Sequence, residues 1–193
     1  MNWTVYMLAV LVAAACDASF TAVFEVGGIR PQFLPAVVVF ALFSAPRRIS
    51  VRAAMLAGLV ADLITPQLDS DGSLLYLPGP HVLAFAFGAM LAVPLRGLLY
   101  RRNPLSGAAA VFAFSLAAGI VYVFVWTVRA HLVDGSAPWW PDSGGSEVWR
   151  RCLGAGGNAL LAIPALWLLE RTRSLWSFIE VPRLAFGPAR ESA

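Results

Sequence analysis

The chain has 193 residues, 59% of them hydrophobic and 13% charged, with a formal net charge of +3. A soluble domain carries about 25% charged residues, so most of this surface meets something other than water. The positive charge is all arginine, with no lysine, and lies in short clusters between apolar runs. That is the pattern of topology signals, and it argues against a nucleic-acid face.

A bilayer core about 30 Å thick takes roughly 20 apolar residues per helix, so the length allows about six spans. The first, 3–24, is broken by Asp17. It lacks a positive n-region and reads as a retained helix, although Ala13-Ala14-Ala15-Cys16 faintly resembles a lipoprotein cleavage site. The second, 31–46, follows Arg30-Pro31, and the third, 51–67, closes at Pro66. The fourth, 81–99, follows Pro78-Gly79-Pro80. The fifth, 105–128, is uncharged, and the sixth is 152–169. Spans two to four are short. They reach full length where flanking arginines snorkel; the alternative is that one short pair forms a re-entrant hairpin. The expectation is an all-α polytopic membrane protein, a single domain over 1–193 with six transmembrane helices. In the tail 170–193, Leu175, Trp176, Phe178, Ile179, Val181 and Leu184 suggest an interfacial cytoplasmic helix, interrupted by Pro182.

The connections test the count. Arg47, Arg48 and Arg52 lie between spans two and three, and Arg96, Arg101 and Arg102 between four and five. Arg171, Arg173, Arg183 and Arg190 follow span six. Six spans put all of these on one side, with both termini in the cytoplasm by the positive-inside rule. The connection with Asp69 and Asp71 has no arginine. The long connection 129–151 is mixed, setting Arg129, Arg150 and Arg151 against Asp134, Asp142 and Glu147. Its Pro138-Trp139-Trp140-Pro141 reads as an outer interfacial anchor.

No GxSxG, HExxH or phosphate loop occurs. His81 and His131 lie near span ends without an obvious partner, and Cys16 and Cys152 read as ordinary apolar residues. No catalytic residue, cofactor or metal site is expected, and the chain does not read as an enzyme. Asp62, in Ala57-Gly58-Leu59-Val60-Ala61-Asp62-Leu63, is the sharpest feature. A carboxylate at a span centre costs roughly 2.5–3.5 kcal/mol on insertion scales and requires a partner or water. Gly58 lies one turn earlier on the same face, where it lets another helix approach. The pair reads as a helix-packing face, with a proton or ligand site as the alternative. Asp17 and Asn158 are further polar groups inside spans, and Arg30 is the nearest expected cation for Asp17 or Asp62. Small residues at Ala9-x-x-x-Ala13, Ala14-x-x-x-Ala18 and Gly154-Ala155-Gly156-Gly157 permit close helix contacts.

These motifs in order carry a resemblance. Arg30-Pro31-x-Phe33-Leu34 opens span two and a basic cluster follows. Gly58-x-x-x-Asp62 comes next, with Pro66 after it, then Asn103-Pro104-Leu105 before span five and Asn158-Ala159-Leu160-Leu161 in span six. Over roughly residues 5–170 the chain resembles MreD, the rod shape-determining membrane protein of bacteria. The resemblance implies a fold similar to the substrate-binding components of energy-coupling-factor transporters, and the bacterial cytoplasmic (inner) membrane as location. It implies a non-enzymatic scaffold of the cell-elongation complex that binds an MreC-like partner near MreB, RodA and a penicillin-binding protein. Arg30, Pro31, Gly58 and Asp62 fall on the family's motif positions. The connections Asp134–Glu147 and Asp69-Ser70-Asp71-Gly72 are longer than the family pattern. A substrate-binding component of a vitamin-type transporter is the second expectation, disfavoured by the few polar side chains inside the spans.

Overall fold

The computed structural model describes residues 1–19, 21–68, 74–99, 104–134, 139 and 143–177. Outside them lie Asp69 and Asp71, the basic turn Arg101-Arg102-Asn103, Pro138, Trp140 and Pro141, and the tail from 178 with Arg183 and Arg190.

Among the described residues the chain is all-α, apart from a two-residue β rung pairing Gln67–Leu68 with Leu74–Leu75. Six α-helices follow in order: α1 (Trp3–Ser19), α2 (Leu34–Ser44), α3 (Arg47–Ile64), α4 (Pro80–Leu99), α5 (Pro104–Arg129) and α6 (Gly144–Arg171). Each predicted span overlaps one of them. Two stretches, Leu105–Leu132 and Gly144–Arg171, are long and apolar enough to cross a membrane.

α2 is shorter than its predicted span at both ends. Its 11 residues reach only about 16 Å at 1.5 Å per residue. All of them are buried, and the other five α-helices pack around it. A helix apolar on every side is the pattern of one enclosed on every side. Pro46, at the start of α3, stops it, because the residue before proline avoids the helical region.

Around this axle α3 packs on α4, α4 on α5, and α5 on α6. The end of α3 meets the start of α4, and the start of α5 meets the end of α6 where Gly107 faces Leu166. These helices therefore alternate in direction. Arg47, Arg48, Arg52, Arg96, Arg171 and Arg173 collect at one end of the bundle, the basic end. The far end holds residues 25–33 and the starts of α4 and α6.

On α3 side-chain size is distributed inside out. The buried face of α3 is Ser50, Ala53, Ala54, Ala57, Gly58, Ala61 and Asp62, while Met55, Leu56, Leu59, Leu63 and Ile64 are exposed. Among the described residues alanine makes up half of the buried apolar ones. On α1, Tyr6, Val10, Ala13 and Ala14 form the inner stripe and Leu8, Leu11 and Val12 face out.

The chain after α6 turns under the bundle. The Trp176 ring is 1% exposed and stacks edge-on against Phe40 (4.9 Å between centroids) and Tyr6 (6.4 Å), and its carbonyl accepts from Asn2 N (2.8 Å). Trp176 was expected in an interfacial helix; it is instead a core residue, because three rings bury more apolar area together than one does at a surface.

Candidate functional site

The polar residues inside the bundle build two joints at the far end. At the first, Pro78-Gly79-Pro80 precedes α4. Gly79 has no side chain to cap the helix, and Pro80 has no N–H to satisfy. The α4 donors are taken by Asp62 from the neighbouring helix. Its Oδ2 accepts from Gly79 N at 2.7 Å and Val82 N at 3.3 Å. Its Oδ1 accepts from His81 N at 2.9 Å and from the His81 ring Nδ1–H at 2.7 Å. A carboxylate at a helix N-terminus satisfies orphan donors and complements the helix dipole. Gly58 makes the approach possible: a Cβ there would stand 2.6 Å from His81 O and 2.8 Å from Val82 Cα.

The second joint fixes the start of α2, whose own N-cap, Phe33, offers no capping side chain. Asp17 of α1 accepts from Phe33 N (2.6 Å) and Leu34 N (3.1 Å). Asn158 of α6 accepts from Gln32 N (2.6 Å) and donates to Ser115 Oγ of α5 (3.1 Å). Pro31 is buried against Gly157, where a Cβ would lie 3.0 Å from Pro31 Cβ. The opposite end of α2 is closed by Ser50, whose hydroxyl is 3.1 Å from Ala45 O, and by Arg96, which donates to the same carbonyl at 2.9 Å.

Arg30 differs from expectation. It pairs with Glu25 rather than with Asp17 or Asp62. It sits just past a tight hairpin, Val26 bridged to Ile29 across Gly27 (φ 60°) and Gly28 (φ 78°), a left-handed pair that glycine accommodates. His81 also departs from expectation, since its ring is held by Asp62 and lies 4.5 Å from the Tyr122 ring.

Between the joints opens a cavity of about 320 Å³. Arg30, His81, Ser115, Tyr122 and Asn158 contribute to its wall, together with Glu147, Arg150 and Arg151 from the first turns of α6. Glu147 is buried and binds Arg151 Nε at 2.7 Å, an i,i+4 pair. The Arg151 guanidinium lies 4.4 Å over the Tyr122 ring. Gly119 makes room for its stem, since a Cβ there would be 3.1 Å from Arg151 Cβ. Arg150 lies across Gly28 and donates to its carbonyl at 3.3 Å.

Of the five residues singled out from the sequence, Arg30 and Asn158 line the cavity, and Pro31, Gly58 and Asp62 hold its walls in place. Tyr122, Glu147, Arg150 and Arg151 were missed. The last three were assigned to the connection 129–151, but α6 begins at Gly144, well before the predicted 152. Ser143 caps it by accepting from Ser146 N (3.2 Å), and Glu147 suits its first turn. The readable signal was the Glu147-x-x-x-Arg151 spacing. His131 lies outside the site, exposed, with its ring 2.7 Å from Thr127 O. Among the described residues no three His, Cys, Asp or Glu side chains converge on a metal-sized site. No protein-family model, curated protein or solved structure matches the chain.

Proposed function

We propose that the chain is a six-span protein of the bacterial cytoplasmic membrane, with both termini inside, that acts as a non-enzymatic scaffold of MreD type. Its partner on this reading is an MreC-like protein with a single transmembrane helix, near MreB, RodA and a penicillin-binding protein. The observation that carries the membrane half is a bundle whose buried helix faces are rich in alanine, with large apolar residues exposed on its outside and arginines gathered at one end. Small residues line helix contacts in bilayers because lipid is as apolar as leucine, so close packing takes over from hydrophobic burial. The capped ends of α2 support it too, since backbone groups inside a bilayer must find protein partners. The scaffold half is supported by how the motif residues are used. Asp62 and Gly58 join α3 to α4, and Pro31 packs the start of α2 onto α6.

The test is co-expression with a tagged MreC-like protein from the same cell and purification through the tag in mild detergent. A stable complex is expected. Its absence, with an ATPase pair co-purifying through a tag on the chain itself, would move the protein to the second reading, a substrate-binding transporter component. The cavity favours that reading, because its polar wall draws on α4, α5, α6 and the α1–α2 connection.

A further inference from the structure

The wall of the far-end cavity is unequal in charge. Arg30, Arg150 and Arg151 line it against a single carboxylate, Glu147. Glu147 is engaged by Arg151, and Glu25 by Arg30. Asp62, behind His81, has both oxygens occupied by four donors. Among the described residues Arg150 meets no carboxylate; its partner is the Gly28 carbonyl, at the long distance of 3.3 Å. The cavity thus holds an uncompensated guanidinium, and its acids are turned to other tasks.

The rest of the wall is equally specific. Arg151 is fixed between Glu147 and the Tyr122 ring, so its orientation is set before anything binds. His81, Phe85 and Tyr122 form an aromatic side, and Ser115 and Asn158 add polar groups. About 320 Å³ is at the small end of ligand sites, which run from about 300 to 1,000 Å³. A planar guanidinium fork suits carboxylate and phosphate oxygens above other anions.

We propose that this cavity binds a small organic anion, one carrying a carboxylate or phosphate on a compact apolar or ring-shaped body. The same chemistry is offered by the headgroup of an anionic lipid and by a free water-soluble molecule. The site goes beyond the scaffold reading: an MreC-like complex can form with the cavity filled or empty, so failure here leaves that reading standing.

The experiment uses the full chain purified in nonionic detergent. Thermal unfolding is followed while benzoate or inorganic phosphate is added against chloride at matched ionic strength, since a ligand bound only to the folded state raises Tm. In parallel, the protein is reconstituted in equal parts phosphatidylcholine and phosphatidylglycerol, and retained lipid is read by native mass spectrometry. Arg150→Gln and Arg150→Lys are compared with the parent; residue 150 is exposed, and both are expected to fold. A shift with benzoate or phosphate that weakens about ten-fold or more in Arg150→Gln, and less in Arg150→Lys, supports the site with a soluble ligand. Selective retention of phosphatidylglycerol that is lost in Arg150→Gln supports it with a lipid. No anion-specific shift and no selective retention, or equal responses in parent and Arg150→Gln, overturns it.

Discussion

Asp62 shows how one side chain does the work of a missing cap. Pro78-Gly79-Pro80 leaves α4 unable to satisfy its own first donors, so a neighbouring helix supplies the acceptor. Asp62→Ala leaves three backbone N–H groups and the His81 ring without it, and is expected to lower stability by about 2–4 kcal/mol. Asp62→Asn retains one acceptor oxygen and is expected to lose clearly less; thermal unfolding in detergent ranks the two. Gly58→Ala puts a methyl group against the His81 carbonyl, an overpacking cost of about 1–3 kcal/mol, readable in the same assay. Arg30→Ala removes an exposed pair with Glu25, and such pairs are worth about 0–1 kcal/mol. Its expected Tm change is correspondingly small, and a large loss would show that Arg30 holds more than Glu25.

Among the elements, α2 has both ends closed by other parts of the chain. Asp17 and Asn158 take successive donors at its start. Neighbouring sites that share one segment couple rather than add, so Asp17→Ala and Asn158→Ala together are expected to deviate from the sum of the two singles in a double-mutant cycle. Independent, additive losses would mean that the two acceptors stabilise separate structures. This element also marks where sequence reading stopped short. Apolar runs located all six helices, and prolines at 66, 80 and 104 placed several boundaries well. Hydropathy measures apolar content and not length along an axis, so it gave this 11-residue helix the wider bounds 31–46. It failed in the opposite sense at α6, whose first turns carry Glu147, Arg150 and Arg151 and fall below any apolar threshold. The cavity was hidden for the same reason. Its charged wall was counted as loop, which made the interior look poorer in polar groups than it is.

For the whole molecule, the alternating helix directions and the inside-out packing point to a topology test. In a background with Cys16 and Cys152 replaced by serine, His131→Cys is expected to react with a membrane-impermeant maleimide on intact cells. Arg48→Cys is expected to react only after the membrane is opened. The reverse pattern would invert the orientation, and labelling of both on intact cells would sink the six-span reading. The exposed leucines of α1 and α3 belong to this scale as well. Leu8, Leu11, Leu56, Leu59 and Leu63 give these two helices an apolar outer face.

The Gln32 amide and its acceptor on Asn158 are separated by most of the chain. During synthesis, α2 therefore emerges long before the group that finishes its cap. Asp17 is already present, so a nascent chain can hold α2 by one side while the α6 side stays open. The last helix made is then the one that closes the second joint. A ribosome-bound chain halted before residue 144 would leave α2 exchangeable with solvent or chaperone, and completion of α6 would act as the latch that commits the bundle.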